Sequence, residues 1–103
     1  MRSKTLSLQL DRASAEGIAR AVTAYAQAAY PPGGSDCSQV AHETLLDTAR
    51  QINSHPGRNL AIRRRQIALL KAAINWYFSP DGPEPEIDPR PYLAILDAGK
   101  QQH

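Results

Sequence analysis

One cysteine, one methionine, one tryptophan and one phenylalanine stand in 103 residues. The lone Cys37 cannot close a disulfide within the chain. That excludes the disulfide-stapled class of small secreted domain and leads to the expectation of a cytoplasmic protein. No apolar run approaches the roughly 20 residues that span a bilayer, so no membrane segment is expected. The opening MRSKTLSLQL is basic and then apolar, but Ser7 and Gln9 interrupt a stretch already too short for a signal-peptide core. Signatures of chemistry are missing too. His42, His55, His103 and Cys37 form no pair at metal-ligand spacing. Gly33-Gly34-Ser35 lacks the lysine of a phosphate-binding loop. The acids show no pairing motif for general acid–base work. No catalytic residue, metal or cofactor is therefore expected, and the chain does not read as an enzyme.

Large apolar side chains are also in short supply. Sixteen residues are Ala and only 22 are Val, Ile, Leu, Met, Phe or Trp, enough for a small, thin core. A core shared between two copies is the natural remedy.

The charge is unevenly spread. Twelve Lys+Arg face ten Asp+Glu overall, yet residues 1–78 hold ten bases and five acids, and residues 79–103 hold two and five. A basic body with an acidic tail suits a polyanionic partner.

Thr5 to Leu10 alternates polar and apolar without a break, the period-two pattern of a half-buried strand. Leu6, Leu8 and Leu10 share one face; Thr5, Ser7 and Gln9 share the other. A single strand cannot satisfy its own backbone. No second strand is read from the sequence, so the expected partner is the same strand of a second copy.

After Asp11 the period becomes helical. Ile18, Val22, Tyr25, Ala26 and Ala29 place an amphipathic helix over 13–29, and Tyr30-Pro31-Pro32-Gly33-Gly34 ends it. Ser35, Asp36 and Ser38 are candidate N-caps for a second helix, which runs to about Ile52. A third helix is expected over 60–78, with Ile62, Ile67, Leu70, Ala73, Ile74 and Tyr77 as its buried stripe. Arg63, Arg64 and Arg65 would then sit near its start, against the helix dipole. Such a cost marks a candidate patch for phosphate or an acidic partner. Residues 79–91 hold five prolines and four acids, and read as an extended linker or wrapping segment added onto the body. A short helix from Asp88-Pro89 to Leu96 closes the chain.

Strand, helix, turn, helix in the first 53 residues resembles the ribbon-helix-helix family of Arc/MetJ type. KTLSLQL is similar to that family's ribbon, and Asp36-Cys37-Ser38-Gln39-Val40-Ala41-His42-Glu43-Thr44-Leu45 to the opening of its second helix. The resemblance implies a mainly α fold in which one strand pairs across a dimer, and a sequence-specific double-stranded DNA-binding function of the repressor or mobile-element accessory kind. It implies base reading by Thr5, Ser7 and Gln9, and phosphate contacts from Arg2, Lys4, Ser35 and Ser38. The expected organisation is residues 1–57 for dimerisation and DNA, an added helix over 58–78, and a Pro-rich acidic tail with a short helix over 79–103. Two alternatives stay open: an antitoxin whose C-terminal extension binds a toxin, and a small inhibitor or adaptor that binds protein and no nucleic acid.

Overall fold

The computed structural model describes residues 5–54, 59–98 and 100–101 of the chain. Strand β1 (Thr5–Gln9) leads into helix α1 (Arg12–Ala29), and helix α2 (Asp36–Ser54) returns to strand β2 (Asn59–Arg63). A single 3-10 turn (Arg64–Gln66) connects β2 to α3 (Ile67–Tyr77), followed by α4 (Arg90–Asp97) and the two-residue strand β3 (Lys100–Gln101). The molecule is mainly helical, with a small antiparallel sheet in the order β2-β1-β3.

The sheet corrects two expectations. β1 pairs along its whole length with β2, from Thr5↔Arg63 to Gln9↔Asn59, and its other edge meets β3 at Leu6↔Gln101 and Ser7↔Lys100. β1 therefore finds a full-length partner in β2 of the same chain, where a second copy's strand was expected, and β3 covers its other edge at Leu6 and Ser7. The third helix likewise begins seven residues later than its apolar stripe suggested: residues 59–63 are strand, and α3 starts at Ile67. Leu60 and Ile62 alternate with exposed Ala61 and Arg63, a period of two that merges into the helical spacing beginning at Ile67.

The helices follow from local chemistry. Asp11 caps α1, its Oδ1 accepting the Ser14 N–H at 2.7 Å. Ser35 Oγ does the same for the Ser38 N–H at 3.2 Å and starts α2. Asp88 Oδ1 accepts the Arg90 N–H at 3.0 Å as α4 begins. α1 and α2 run antiparallel: His42 of α2 bonds back to carbonyls at the α1 C-terminus, while Glu16 near the other end of α1 shares a groove with Asn53. Small residues let these helices approach, since Ala15, Ala19, Ala21, Ala26 and Ala49 are all buried between them or against the core.

That core is continuous. Leu8 and Leu10, in and just after β1, and Leu60 and Ile62 of β2 face Ile18, Val22, Leu45, Ile52, Leu70 and Ile74 of the helices. All six aromatic residues form one chain of ring contacts, Tyr30–Tyr25–Trp76–Tyr77–Phe78–Tyr92. The Pro-rich segment wraps the body, as one of its two sequence readings allowed. Glu84 accepts from Arg20 at 3.0 and 3.4 Å and donates its backbone N–H to the Tyr77 carbonyl at 3.0 Å. Gly82 packs so closely under Trp76 and Tyr77 that a Cβ there would collide with both carbonyl oxygens. Leu96 of α4, the helix that follows the wrapping segment, is buried at 2% exposure, so the last described helix belongs to the core while the Pro-rich residues lie over its surface.

Candidate nucleic-acid interface

Because β1 alternates, its two faces have different fates. Leu8 is buried, whereas Gln9 is exposed and Ser7 half-buried on the outward side. Register puts Ala61 opposite Ser7 and Arg63 opposite Thr5, and both Ala61 and Arg63 are exposed. By register, Thr5, Ser7 and Gln9 thus share one sheet face, now flanked by a second strand of the same chain. Lys100 stands on the other side, across the ladder from Ser7.

The sequence also sorts charge between the strand-bearing stretches and the rest. The three stretches that carry the strands, residues 1–10, 55–66 and 99–103, contain seven of the twelve Lys and Arg and none of the ten Asp and Glu. The rest of the chain carries five bases against ten acids. Among the described residues the ion pairs use Arg20, Arg50, Lys71 and Arg90; Arg63, Arg64 and Arg65 take part in none and are exposed. The acid adjoining the sheet in sequence, Asp11, is engaged by the Ser14 amide, which holds its carboxyl below the usual range.

The arginine run is placed differently from its sequence reading. Arg63 ends β2, and Arg64 and Arg65 occupy the 3-10 turn ahead of α3. Neither the turn nor α3 has a side-chain cap at its N-terminus, so the positive end of the α3 dipole follows directly on the three arginines. Gln66 stands at the α3 N-cap but bonds elsewhere: its Oε1 is 2.9 Å from the hydroxyl of buried Thr48 in α2.

Other expected contacts do not join this face. Arg2 and Lys4 lie outside the described residues. Ser35 and Ser38 sit at the far end of the α1–α2 hairpin, roughly 27 Å along α1 from the end of β1 at 1.5 Å per residue. Their local donors are also occupied, since Ser35 caps Ser38 and Asp36 places a negative charge in the first turn. A phosphate clamp at the start of α2 is therefore separated from the strand face, which departs from the ribbon-helix-helix arrangement. Sequence reasoning missed Ala61, Gln66 and Lys100. The alternation of Leu60 and Ile62 was a usable signal for the first; the two polar residues of β3 offered none.

Elsewhere, a groove of about 800 Å³ runs between α1 and α2 over Ala19, Ala49 and Tyr77. Its arginines are tied to acids, Arg20 to Glu84 and Arg50 to Asp47, and no His or Cys lines it. No group of three His, Cys, Asp or Glu side chains converges among the described residues, and no described helix is long and apolar enough to cross a membrane. His42 works for the fold. Its Nδ1 lies 2.8 Å from the Tyr30 carbonyl oxygen and 3.1 Å from that of Ala26. Two carbonyl acceptors require the proton on Nδ1, so the ring closes the C-terminal carbonyls of α1.

The chain matches no protein-family model, no curated protein and no solved structure.

Proposed function

We propose that this protein binds double-stranded DNA through the outward face of its sheet, with the β1–β2 ladder seated in the major groove. The observation that carries this reading is the segregation of charge: the strand-bearing stretches hold seven bases and no acids, and Arg63, Arg64 and Arg65 have no ion-pair partner among the described residues. A duplex supplies a dense line of phosphates, and neutralising them releases counterions. The width of the major groove admits a two-stranded ribbon.

In this arrangement Arg63, Arg64 and Arg65 hold the phosphate backbone, and Arg2, Lys4 and Lys100 add positive charge to the strand-bearing stretches of the sequence. Thr5, Ser7 and Gln9 read base edges; Gln pairs with adenine through two hydrogen bonds, and hydroxyls act as donor or acceptor. The absence of Phe, Trp and Tyr from residues 1–10, 55–66 and 99–103 favours a duplex over a single strand, whose bases need aromatic platforms to stack on. Sequence-specific binding of this type would serve a repressor or an accessory protein of a mobile element. A toxin-binding extension draws no support from a C-terminal segment that is packed into the core.

Selection of duplexes from a randomised pool tests the reading. The wild-type chain should enrich a short preferred site, and Gln9→Ala should lose that preference while still binding the unselected pool. Failure of the wild-type chain to retain any duplex at low salt would refute it.

A further inference from the structure

A polar contact joins the 3-10 turn that presents Arg64 and Arg65 to the protein interior. Thr48 is a buried polar residue of the core, 4% exposed, and its Oγ1 lies 2.9 Å from both the Thr44 carbonyl oxygen and Gln66 Oε1. One hydroxyl proton serves the two acceptors. Gln66 immediately follows the two arginines and sits at the α3 N-cap, yet makes no capping bond to its own helix. Its side chain reaches α2 instead.

We infer that the Thr48–Gln66 bond is a positioning device for the DNA contact: it fixes the turn so that Arg64 and Arg65 are held at the sheet face rather than free to swing. The inference rests on the duplex-binding reading above. The two residues touch no DNA themselves. Their effect passes through the arginines, whose long side chains gain most from a backbone already held in place, because less freedom is lost on binding. A short 3-10 turn has poor hydrogen-bond geometry of its own and needs such an anchor.

Gln66→Met is the cleaner probe, since Thr48 keeps its bond to the Thr44 carbonyl and no buried polar atom is orphaned. Thr48→Val removes the same bond from the other side, and Thr48→Ser restores the hydroxyl. Two readouts apply to each: amide hydrogen exchange at Ile67, whose N–H bonds the Arg64 carbonyl and closes the turn, and affinity for a mixed-sequence duplex across a salt series. Gln66→Met and Thr48→Val should speed exchange there about tenfold and weaken duplex binding several-fold, with a shallower salt slope. Thr48→Ser should match wild type in both. Unchanged exchange in the folded variants, or faster exchange with duplex affinity unaltered, would overturn the inference while leaving the duplex reading intact. Absence of duplex binding by the wild-type chain would overturn both.

Discussion

Arg63 lies directly across the β1–β2 ladder from Thr5, although more than half the chain separates them. This pairing brings the arginine run of the middle of the sequence to the strand at its beginning. It also gives β1 an intramolecular partner, and the consequences of both can be measured.

With β1 paired on both sides inside the chain, folding has no need of a second copy to complete the ladder. Thermal unfolding should therefore be independent of protein concentration over a hundredfold dilution. A midpoint that rises with concentration would show that another interface contributes to stability.

The C-terminal segment belongs to the core. Leu96 is buried, and the Tyr92 ring stacks on Phe78 with centroids 4.9 Å apart. Leu96→Ala should cost about 2–5 kcal/mol in chemical denaturation, the range for a buried leucine whose cavity does not collapse. Ending the chain after Ser79 should be more damaging still, because it exposes Phe78 and removes Ile87, Leu93 and Leu96 together. A truncated chain with unchanged stability would contradict this packing.

The wrapping segment also has a pH signature. Hydrogen bonding from the Tyr77 hydroxyl, and then from Arg20, holds the Glu84 carboxyl below its ordinary value near 4.5. A depressed carboxylate stabilises the fold fully above the unfolded value, and that contribution is lost as pH falls through the folded value. Stability should thus drop on acidification below about pH 5, and Glu84→Gln should flatten that part of the profile. Identical acid profiles for wild type and Glu84→Gln would show that the Glu84 clamp adds nothing to the fold.

Base reading and phosphate holding should separate by mutation. Gln9→Ala should weaken the preferred duplex by ~1–3 kcal/mol and leave random duplex nearly unchanged, because a bidentate base contact carries sequence information. Competition binding at one fixed salt concentration checks this. An equal loss on both duplexes would make Gln9 a backbone contact.

Much of the helical frame was legible in the sequence. The Pro31-Pro32-Gly33-Gly34 turn and Ser35 mark helix ends where the structure has them, and the change of period after Asp11 coincides with its cap on α1. The last helix starts later than Asp88-Pro89 suggested, with Pro89 at the cap position and Asp88 bonding the Arg90 N–H. β1 was legible as well, since its alternation is uninterrupted. β2 was hidden because Leu60 and Ile62 are also compatible with the helical stripe that follows, and five residues are too few to separate the two periods. β3 was hidden more completely: Lys100 and Gln101 carry no apolar pattern, and their pairing is decided by the fold around them. The candidate site inherits this limit. Thr5, Ser7 and Gln9 could be assigned to one face by period alone, whereas the company of Arg63 and Lys100 depends on strand order, which no local pattern encodes.

In the proposed function, the location of positive charge, not its amount, creates the duplex-binding surface. The most direct test compares two double variants that remove the same charge from exposed positions. Arg64→Ala with Arg65→Ala strips the sheet end, and Arg50→Ala with Arg90→Ala strips the helical side, where both arginines are paired with acids. Affinity for a mixed-sequence duplex should be measured from about 50 to 200 mM salt, the range over which phosphate contacts dominate. The sheet-end variant should bind markedly more weakly, with a salt slope shallower by about 0.9 for each phosphate that is no longer neutralised, while the helical-side variant stays close to wild type. Equal losses in the two variants, or none in either, would contradict the account.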